Sequence, residues 1–581
     1  MRSALALAAL LTLGVLAGCL DNGKGTDTPT PETVVPSTDV GYAFAAVDSQ
    51  GLPVPLRLCQ PMLPGAEGLH AAAERCNFNM APDEGRQGNE VTIGVNPTDP
   101  RNVVGGAKDY YPADAGECVW DGVYVTHDAG KTVYQDRSFD GSPWRAADGD
   151  LSDFKPNYAS QFWCTTDPVA YFAVDGSLYY LLMAYQADRV TGSKTCKDVC
   201  PNGAFNDWAF NRAVQIVAKS TDGGDTFETF TPVLEGSFPV DFHDKGWLAA
   251  SKDGVIHVMW AAIPAPGTLY FRSTDGGQSF SDPEVMGVTG AGLLPDETGV
   301  APGGSGAFVD VGTDNEVYAT WTTGGQVWLR RSDNDGADFD PGRAVLLPNL
   351  SDMDGLSPRD RRSVSPMFAT DRNPDSPYQN NLYYVWQDEC NGDWSETCED
   401  GDGSAVYFSS SFDTGSTFTQ PVRISKPHSG ASDYEIFPAV SVSPGGVIDV
   451  SWMDTEGAGR FNCTQETTCA EGQTDYPGLT QHYAYSLDGG VTWSDEFVVR
   501  DAPDAGWDPK LSHHQNGMIF FGDYNDIDSS WQAAHPVWPD TRDHQSVKVY
   551  TATIQRPMFA QGWDVARQVE ALKFIAAHPL E

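Results

Sequence analysis

The chain has 581 residues and a formal net charge of −44, from 36 Lys and Arg against 80 Asp and Glu. A field this negative argues against nucleic acid and anionic membrane surfaces as partners. It suits cations, basic proteins, a high-salt setting, or simply a solubilising acidic surface. The 59 Gly, the 39 Pro and the near absence of helical periodicity predict many short strands joined by turns.

Residues 1–19 have the layout of a targeting segment. Arg2 provides a minimal positive region, and the apolar stretch from Ala4 to Val15 is short for a transmembrane span. The stretch ends in Leu16-Ala17-Gly18-Cys19, which resembles the lipobox of prokaryotic lipoproteins and implies lipidation of Cys19. Residues 20–39 then form a flexible Thr/Pro/Asp tether. We expect an exported protein, held at the cell surface by its lipid. The alternative is an ordinary secretory signal with a coincidental Cys.

Without Cys19, ten of the 11 cysteines remain, an even number that suits disulfides in an oxidising compartment. They fall into five couples that are close in sequence: Cys59 with Cys76, Cys118 with Cys164, Cys196 with Cys200, Cys390 with Cys398, and Cys463 with Cys469. Metal–thiolate sites are the competing interpretation, but the C-x-x-C pairs of a zinc module are absent.

One short turn recurs six times along the chain. It reads S-x-D-x-G-x-[ST]-[FW] at Ser220–Phe227, Ser273–Phe280, Ser411–Phe418 and Ser486–Trp493. Weaker copies lie at Thr126–Val133 and Ser332–Phe339. The Asp can accept hydrogen bonds from backbone N–H groups further on, and the Gly allows the positive φ that closes a hairpin. Six copies, each between strand-like runs, predict a radially repeated β architecture.

The strand-like runs group into units of four strands, A to D, with the repeated turn joining C to D. We therefore predict an all-β fold, a single β-propeller over residues 90–556. The seventh unit has three strands, so residues 40–89 should supply its outer strand, with Tyr42–Val47 as donor. This gives seven blades, with six as the alternative. An amphipathic helix is predicted in residues 557–581, from Trp563 to Ala577.

Turns of this kind on four-stranded units resemble the Asp-box, or BNR, repeats of the sialidase superfamily. Other stretches resemble an exported sialidase-like subgroup: Val95–Pro100, Asp244–Trp247, Phe437–Val440, Gly522–Tyr524 and Trp538–Arg542. The resemblance implies a propeller and an exo-acting glycoside hydrolase of the sialidase type, on cell-surface or environmental glycans.

The topology also predicts where a site lies. The A–B and C–D turns share one face of a propeller, and the family's site occupies the other face near the axis. The ends of B strands and the starts of A strands should line that second face. These positions are Asp109, Asp388, Asp454 and Asp540 at B-strand ends, and Asp167, Asp244, Lys245, Arg361, Arg362, Glu435, Asp523 and Tyr524 at A-strand starts.

The resemblance implies three arginines that clamp a carboxylate, a Tyr nucleophile activated by a Glu, and an Asp as acid/base. The matching residues here are Asp109 as acid/base, Tyr524 as nucleophile, Glu435 as its carboxylate partner, and Arg361 or Arg362 with Arg542 as substrate-binding arginines. The family's F/Y-R-I-P motif is absent from the first A strand, where Glu90-Val91-Thr92-Ile93 stands.

The second hypothesis is a non-catalytic surface propeller that binds glycan, protein or a cation. Each site residue also has a structural interpretation: the Asp residues as loop caps, the arginines in ion pairs, and Tyr524 as a packed tyrosine. We expect a monomer without a cofactor or a metal centre. Structural calcium at Asp388–Asp402 or at Asp523, Asp526 and Asp528 remains an alternative to solvated acidic loops.

Overall fold

In a computed structural model, Gly41–Glu581 forms a compact unit. The structure describes residues 46–58, 60–61, 74–75, 77–81, 87–109, 120–130, 135–136, 164–187, 210–236, 241–264, 267–288, 305–323, 326–345, 366–388, 404–426, 434–455, 479–499, 514–515, 518–519, 522–542 and 547–580. Cys19, the tether, and nine of the ten other cysteines lie outside these residues; the tenth, Cys164, is described only as the first residue of a strand.

Four short strands come first: β1 (Leu56–Leu58), β2 (Gln60–Pro61), β3 (Glu74–Arg75) and β4 (Asn77–Asn79). Blade one follows with β5 (Gly88–Val95), β6 (Val103–Asp109), β7 (Trp120–Thr126) and β8 (Gln135–Asp136). Blade two contains β9 (Cys164–Phe172), β10 (Leu178–Ala187), β11 (Phe210–Ser220) and β12 (Thr229–Gly236). Blade three contains β13 (Asp241–Ala250), β14 (Ile256–Pro264), β15 (Gly267–Ser273) and β16 (Glu284–Val288).

Blade four contains β17 (Ser305–Val311), β18 (Val317–Thr323), β19 (Gln326–Ser332) and β20 (Arg343–Val345). Blade five contains β21 (Met367–Thr370), β22 (Leu382–Asp388), β23 (Ala405–Ser411) and β24 (Val422–Arg423). Blade six contains β25 (Glu435–Val442), β26 (Ile448–Asp454), β27 (Thr480–Ser486) and β28 (Phe497–Val498). A small hairpin, β29 (His514–Gln515) with β30 (Met518–Ile519), precedes the last blade.

Blade seven contains β31 (Asp526–Ser529), β32 (Ala533–Asp540) and β33 (Lys548–Gln555), and its outer edge comes from the N-terminal part of the chain. There β1 and β4 pair with consecutive stretches of β33. The predicted fold is therefore confirmed: seven four-stranded antiparallel blades with N-terminal closure. The closing strands differ from the predicted Tyr42–Val47, of which Val47 makes an isolated bridge to Pro53. The pattern of Tyr42–Val47 suited a strand, but the pairing with β33 is made further along the chain.

The core lies between the faces of neighbouring blades, because strands near the axis are covered on both sides. Every residue of β26 and β32 is buried. In each of blades three to seven, the second strand contains a Trp with at most 1% of its surface exposed: Trp260, Trp321, Trp386, Trp452 and Trp538. Blades seven and one are joined by Asp526, whose carboxylate accepts from the Ile93 backbone N–H and the Thr92 hydroxyl, both at 3.0 Å.

The repeated turn has the hydrogen bonds that its sequence predicts. In blade six the Asp488 carboxylate accepts from the Thr492 backbone N–H at 2.8 Å and from its hydroxyl at 2.6 Å. The Ser486 hydroxyl accepts from Gly490 N–H at 3.0 Å, and Gly490 has φ of 88°. The closing aromatic, Trp493, packs edge-on against Phe408 of blade five with ring centroids 4.8 Å apart. The turn of blade six thus fastens its own hairpin and packs against the preceding blade.

The C-terminal segment packs against the turns between first and second strands. The Ala560 backbone N–H donates to Gly445 O at 2.9 Å, and a Cβ on Gly445 would lie 1.7 Å from Met558 O. The helix α1 (Val565–Ala577) begins after Asp564, which caps it, and buries Ile575. Val565 and Val569 of this predicted amphipathic helix are exposed. Among the described residues, no helix has both the length and the apolar character to cross a bilayer.

Candidate functional site

The first strand of five blades carries a β-bulge at the same place. Two residues of that strand oppose one residue of the second strand, and the first of the two has left-handed backbone. These residues are Glu90 (φ 50°), Asp167 (φ 57°), Lys245 (φ 46°), Gly306 (φ 60°) and Phe437 (φ 52°). Such a conformation costs a non-Gly residue about 1–3 kcal/mol and is enriched at functional sites. The bulges therefore indicate a candidate functional site at this end of the propeller.

Tyr524 occupies the matching place in blade seven. In blade one, Glu90 lies two residues before Thr92, the first residue after the bulge that pairs with β6. In blade seven, Tyr524 likewise lies two residues before Asp526, the first residue that pairs with β32. The bulges of blades one, two and three and the matching place in blade seven thus bring a Glu, an Asp, a Lys and a Tyr to one end of the ring.

Lys245 joins three blades through ion pairs. Its Nζ lies 3.2 Å from Glu90 Oε1 and also contacts Asp523 Oδ2. Lys108, from the second strand of blade one, holds the other oxygen of Glu90 at 2.9 Å. Glu90 is buried, so two cations compensate the cost of taking its charge out of water.

Neighbouring charges move the pKa values of Glu90 and Asp167 in opposite directions. Although burial acts to raise it, the charges of Lys108 and Lys245 hold the pKa of Glu90 well below its usual range. Burial and the charge of Glu90 raise the pKa of Asp167 to about 7. Near neutral pH Glu90 is therefore ionised, while the carboxyl group of Asp167 exchanges its proton.

Tyr524 lies against this cluster. Lys245 Nζ stands 5.4 Å from the centroid of its ring. Burial raises the pKa of the Tyr524 phenol well above its usual value, and the charges of Asp167 and Glu90 act in the same direction. The phenol is therefore neutral at physiological pH, and it can attack only if a base takes its proton.

Gly522 allows the chain of blade seven to approach the bulge of blade one. Its φ is 106°, and a Cβ at this position would lie 2.8 Å from the Glu90 backbone nitrogen. A side chain would therefore displace Glu90 or Tyr524, two residues away.

Asp109, predicted as acid/base, lies at the end of β6 and is buried beside the cluster. Burial, together with the charges of Asp167, Glu90 and Asp109, raises the pKa of Asp121 well above its usual range. Asp109 thus belongs to the same electrostatic neighbourhood as Asp167, and its role as acid/base stays a prediction.

Glu435, predicted as the partner of Tyr524, makes its described contacts with blade five. Its carboxylate accepts from the Val406 backbone N–H at 2.8 Å, lies 3.2 Å from Arg423 Nη2 and contacts the Ser425 hydroxyl. Phe437 stands at the bulge of its own blade. The described carboxylate neighbours of Tyr524 include Glu90 and Asp167. The pairing of Tyr524 with Glu435 stays a prediction.

Arg542 is held within blade seven. It pairs with Asp540, whose carboxylate also accepts from Trp538 Nε1 at 2.9 Å, and its guanidinium stacks 4.5 Å above the ring centroid of Tyr550. Only 12% of the Arg542 side chain is exposed. Arg361 and Arg362 lie outside the described residues. The predicted arginine clamp stays a prediction.

The alternative calcium ligands in blade seven already serve other contacts. Asp526 and Asp528 accept from backbone N–H groups of blade one, and Asp523 pairs with Lys245. The loop that follows Asp388 lies outside the described residues. Calcium binding at either place stays a prediction.

The sequence placed Asp167, Lys245 and Asp523 at this face, but it singled out Glu435 instead of Glu90. The sequence did contain a signal for the bulge. In three blades the residue that follows the left-handed one is a Pro or a Gly: Pro168, Gly246 and Pro438. A strict alternation along the first strand does not allow for the extra residue of the bulge. It therefore assigns the residues on one side of the bulge to the wrong face of the sheet.

No protein-family model matches the chain, and no curated relative matches it. Several solved structures resemble the chain over much of its length, with low TM-scores. A protein of unknown function from Dyadobacter fermentans is 11% identical over 83% of this chain and 98% of that chain, with a TM-score of 0.40. A GH93 α-L-arabinofuranosidase of Fusarium graminearum, in complex with arabinobiose, is 11% identical over 83% and 97%, with a TM-score of 0.40.

A mutant of the NanB sialidase from Streptococcus pneumoniae is 11% identical over 67% of this chain and 69% of that chain, with a TM-score of 0.41. At such identities and TM-scores these similarities carry no argument about function. The function of this chain has to be argued from the residues of the cluster.

Proposed function

We propose that this protein is an exported, lipid-anchored propeller that acts as an exo-acting glycoside hydrolase on cell-surface or environmental glycans. The observation that carries the proposal is the cluster itself: Lys245 pairs with Glu90 and Asp523 and stands 5.4 Å from the ring centroid of Tyr524. The pKa values of Glu90 and Asp167 within it are displaced in opposite directions. An acid that exchanges its proton near pH 7, beside a carboxylate that is ionised before the reaction and can accept a proton, is the pair that glycosidic bond cleavage needs.

In the proposed reaction, Tyr524 Oη attacks the anomeric carbon and its proton passes to Glu90. Asp167 donates its proton to the oxygen of the leaving group, so the bond between that oxygen and the anomeric carbon breaks. Water then attacks the glycosyl-tyrosine and gives its proton to Asp167, while Glu90 returns its proton to the phenol. Lys245, 5.4 Å from the ring centroid, stabilises negative charge that develops on the tyrosine.

Both lysines of the cluster are already paired with carboxylates, which bears on the substrate. Glu90 and Asp523 are matched by Lys108 and Lys245. Asp167 is the carboxyl group that titrates near neutral pH. A neutral sugar therefore fits this cluster without further cations, whereas a sialoside needs arginines from other parts of the face.

The test is turnover of fluorogenic sialosides and a panel of neutral aryl glycosides by the purified full chain. We expect Tyr524→Phe and Asp167→Asn each to lower kcat/KM by at least about 100-fold on the substrate that the wild type cleaves. Tyr179→Phe and Asp175→Asn are matched controls. Tyr179 contacts Gly276 in the turn of blade three, and Asp175 lies in the first turn of blade two.

An active wild type whose turnover survives both site substitutions would contradict the assignment. A folded wild type that cleaves no glycoside in the panel, but binds glycans, would instead favour a non-catalytic binding propeller. In that case the ion pairs of Lys245 serve only to hold three blades together.

A further inference from the structure

A second group of buried side chains lies within blade six. Asp454 ends β26, His482 lies in β27, and Glu496 directly precedes β28. One ligand atom from each of the three lies within 4.8 Å of the other two. The Asp454 residue is fully buried, and the side chains of His482 and Glu496 are 1% and 6% exposed. The three come from strands that are distant in sequence, so residue spacing did not reveal them.

The surroundings of each side chain fix its direction. His482 stacks on Trp452 with ring centroids 6.0 Å apart, and its Nδ1 contacts Glu496 Oε1. The other oxygen of Glu496 accepts from the Lys426 backbone N–H at 3.0 Å, so Oε1 is held toward the imidazole. Asp454 belongs to the last pair of β25 with β26, opposite Glu435. Rigid strands therefore hold one nitrogen and two oxygen ligands around one point.

The ligand set of this group suits a cation. Two carboxylates and one imidazole offer oxygen and nitrogen ligand atoms close to one another. A divalent ion bound to two carboxylates and a neutral imidazole gives a neutral group.

We propose that Asp454, His482 and Glu496 form a binding site for a divalent transition-metal ion of the zinc type. The imidazole nitrogen favours zinc over calcium, which takes oxygen ligands and more of them. Zinc–ligand distances of about 2.0–2.2 Å require the three side chains to move together on binding. The site is independent of the proposed hydrolase activity, since none of its residues belongs to the cluster at Glu90.

The test is metal binding by the full chain after chelation and dialysis. We expect one Zn²⁺ per chain by elemental mass spectrometry, a higher melting temperature with Zn²⁺ than without, and no comparable effect of Ca²⁺ at the same concentration. His482→Gln and Glu496→Gln should each weaken Zn²⁺ binding by at least about 100-fold in a competition titration against a chromophoric chelator.

His127→Gln is the matched control, because His127 also pairs with a carboxylate, Asp225, but both are exposed. Circular dichroism establishes that each variant is folded. If His482→Gln does not fold, the absorption spectrum of Co²⁺ bound to the wild type replaces it, since nitrogen and carboxylate ligands in a closed site give intense visible bands. Zinc uptake that is equal in wild type and His482→Gln, no uptake by the folded wild type, or a Co²⁺ spectrum of the hydrated ion would each overturn the proposal.

Discussion

Single residues with left-handed backbone determine what this propeller presents at one end of its axis. Glu90, Asp167 and Lys245 each occupy a bulge that costs conformational energy, and each contributes a charged side chain to the same cluster. Strain of this kind persists only where the surrounding structure enforces it. Here the ladders on either side of each bulge do so, since the first two strands of each blade pair both before and after it.

The pKa of Asp167 gives a prediction at this scale. Burial and the charge of Glu90 raise it to about 7, so Asp167 is protonated below that pH and loses its proton above it. A general acid must carry its proton, and kcat/KM should therefore fall about tenfold per pH unit above about pH 7. The measurement is the pH profile of kcat/KM between pH 5 and 9 on the cleaved glycoside.

The raised pKa of Asp167 also makes the free energy of unfolding depend on pH. The folded-state pKa of Asp167 lies above the unfolded value, so its stabilising contribution is complete below about pH 4 and is lost as the pH rises through 7. Asp167→Asn should lose both the alkaline limb of the activity profile and this part of the pH dependence of unfolding. A profile whose alkaline limb is unchanged in an active Asp167→Asn enzyme would contradict the role of Asp167.

At the scale of elements, the repeated turn fastens the hairpins, and the bulges bring charged side chains of neighbouring blades together. The turn joins the third and fourth strands, and its Asp bonds only within its own hairpin in the described copies of blades two, three, five and six. The bulge lies at the start of the first strand. The two motifs therefore belong to opposite ends of each blade.

Replacing the Asp of one turn should separate these roles. Asp488→Ala removes the acceptor for the backbone N–H and the hydroxyl of Thr492, so we expect the free energy of unfolding to fall by about 1–2 kcal/mol. Activity should not change, because the turn is remote from Glu90. Chemical denaturation and kcat/KM, measured on one preparation, test both statements. A loss of activity without a loss of stability would place the turn in the site.

Sequence alone predicted the elements well, because the turn repeats and supplies the phase of the strands around it. It did not single out Glu90, which pairs with two lysines in the cluster. Glu435 was chosen from its position near a strand start, but its carboxylate is directed to Arg423 of blade five. The bulge that brings Glu90 inward changes the register by one residue, and neither strand propensity nor alternation encodes that change. The group at His482 joins three strands, which only the folded sheet brings together.

At the scale of the whole molecule, the ring is closed by a strand that the chain supplies from its beginning. β1 and β4 cover the outer edge of β33, and Phe78 and Met80 pack into the core between blades seven and one. Asp526 and Asp528 join the same two blades near the axis through backbone N–H groups of β5. Closure therefore has an outer, mainly apolar part and an inner, polar part.

Deletion of the closing segment tests the outer part. A chain without residues 20–81 loses the burial of Phe78 and Met80, worth about 3–6 kcal/mol, and exposes the edge of β33. We expect a clearly lower melting temperature and association into oligomers, measured by calorimetry and light scattering. A chain without residues 20–45 is the control and should melt like the full chain. Equal melting of the two deletions would show that closure is achieved differently.

The proposed reaction requires that Tyr524 form a covalent bond to the sugar within the cluster of Glu90, Asp167 and Lys245. The most direct measurement is mass spectrometry of the full chain after incubation with a fluorinated glycosyl fluoride, which accumulates the glycosyl-enzyme. We expect one sugar per chain, located on Tyr524 after proteolysis and absent from Tyr524→Phe. A label on another residue, or turnover by Tyr524→Phe at the wild-type rate, would contradict the claim.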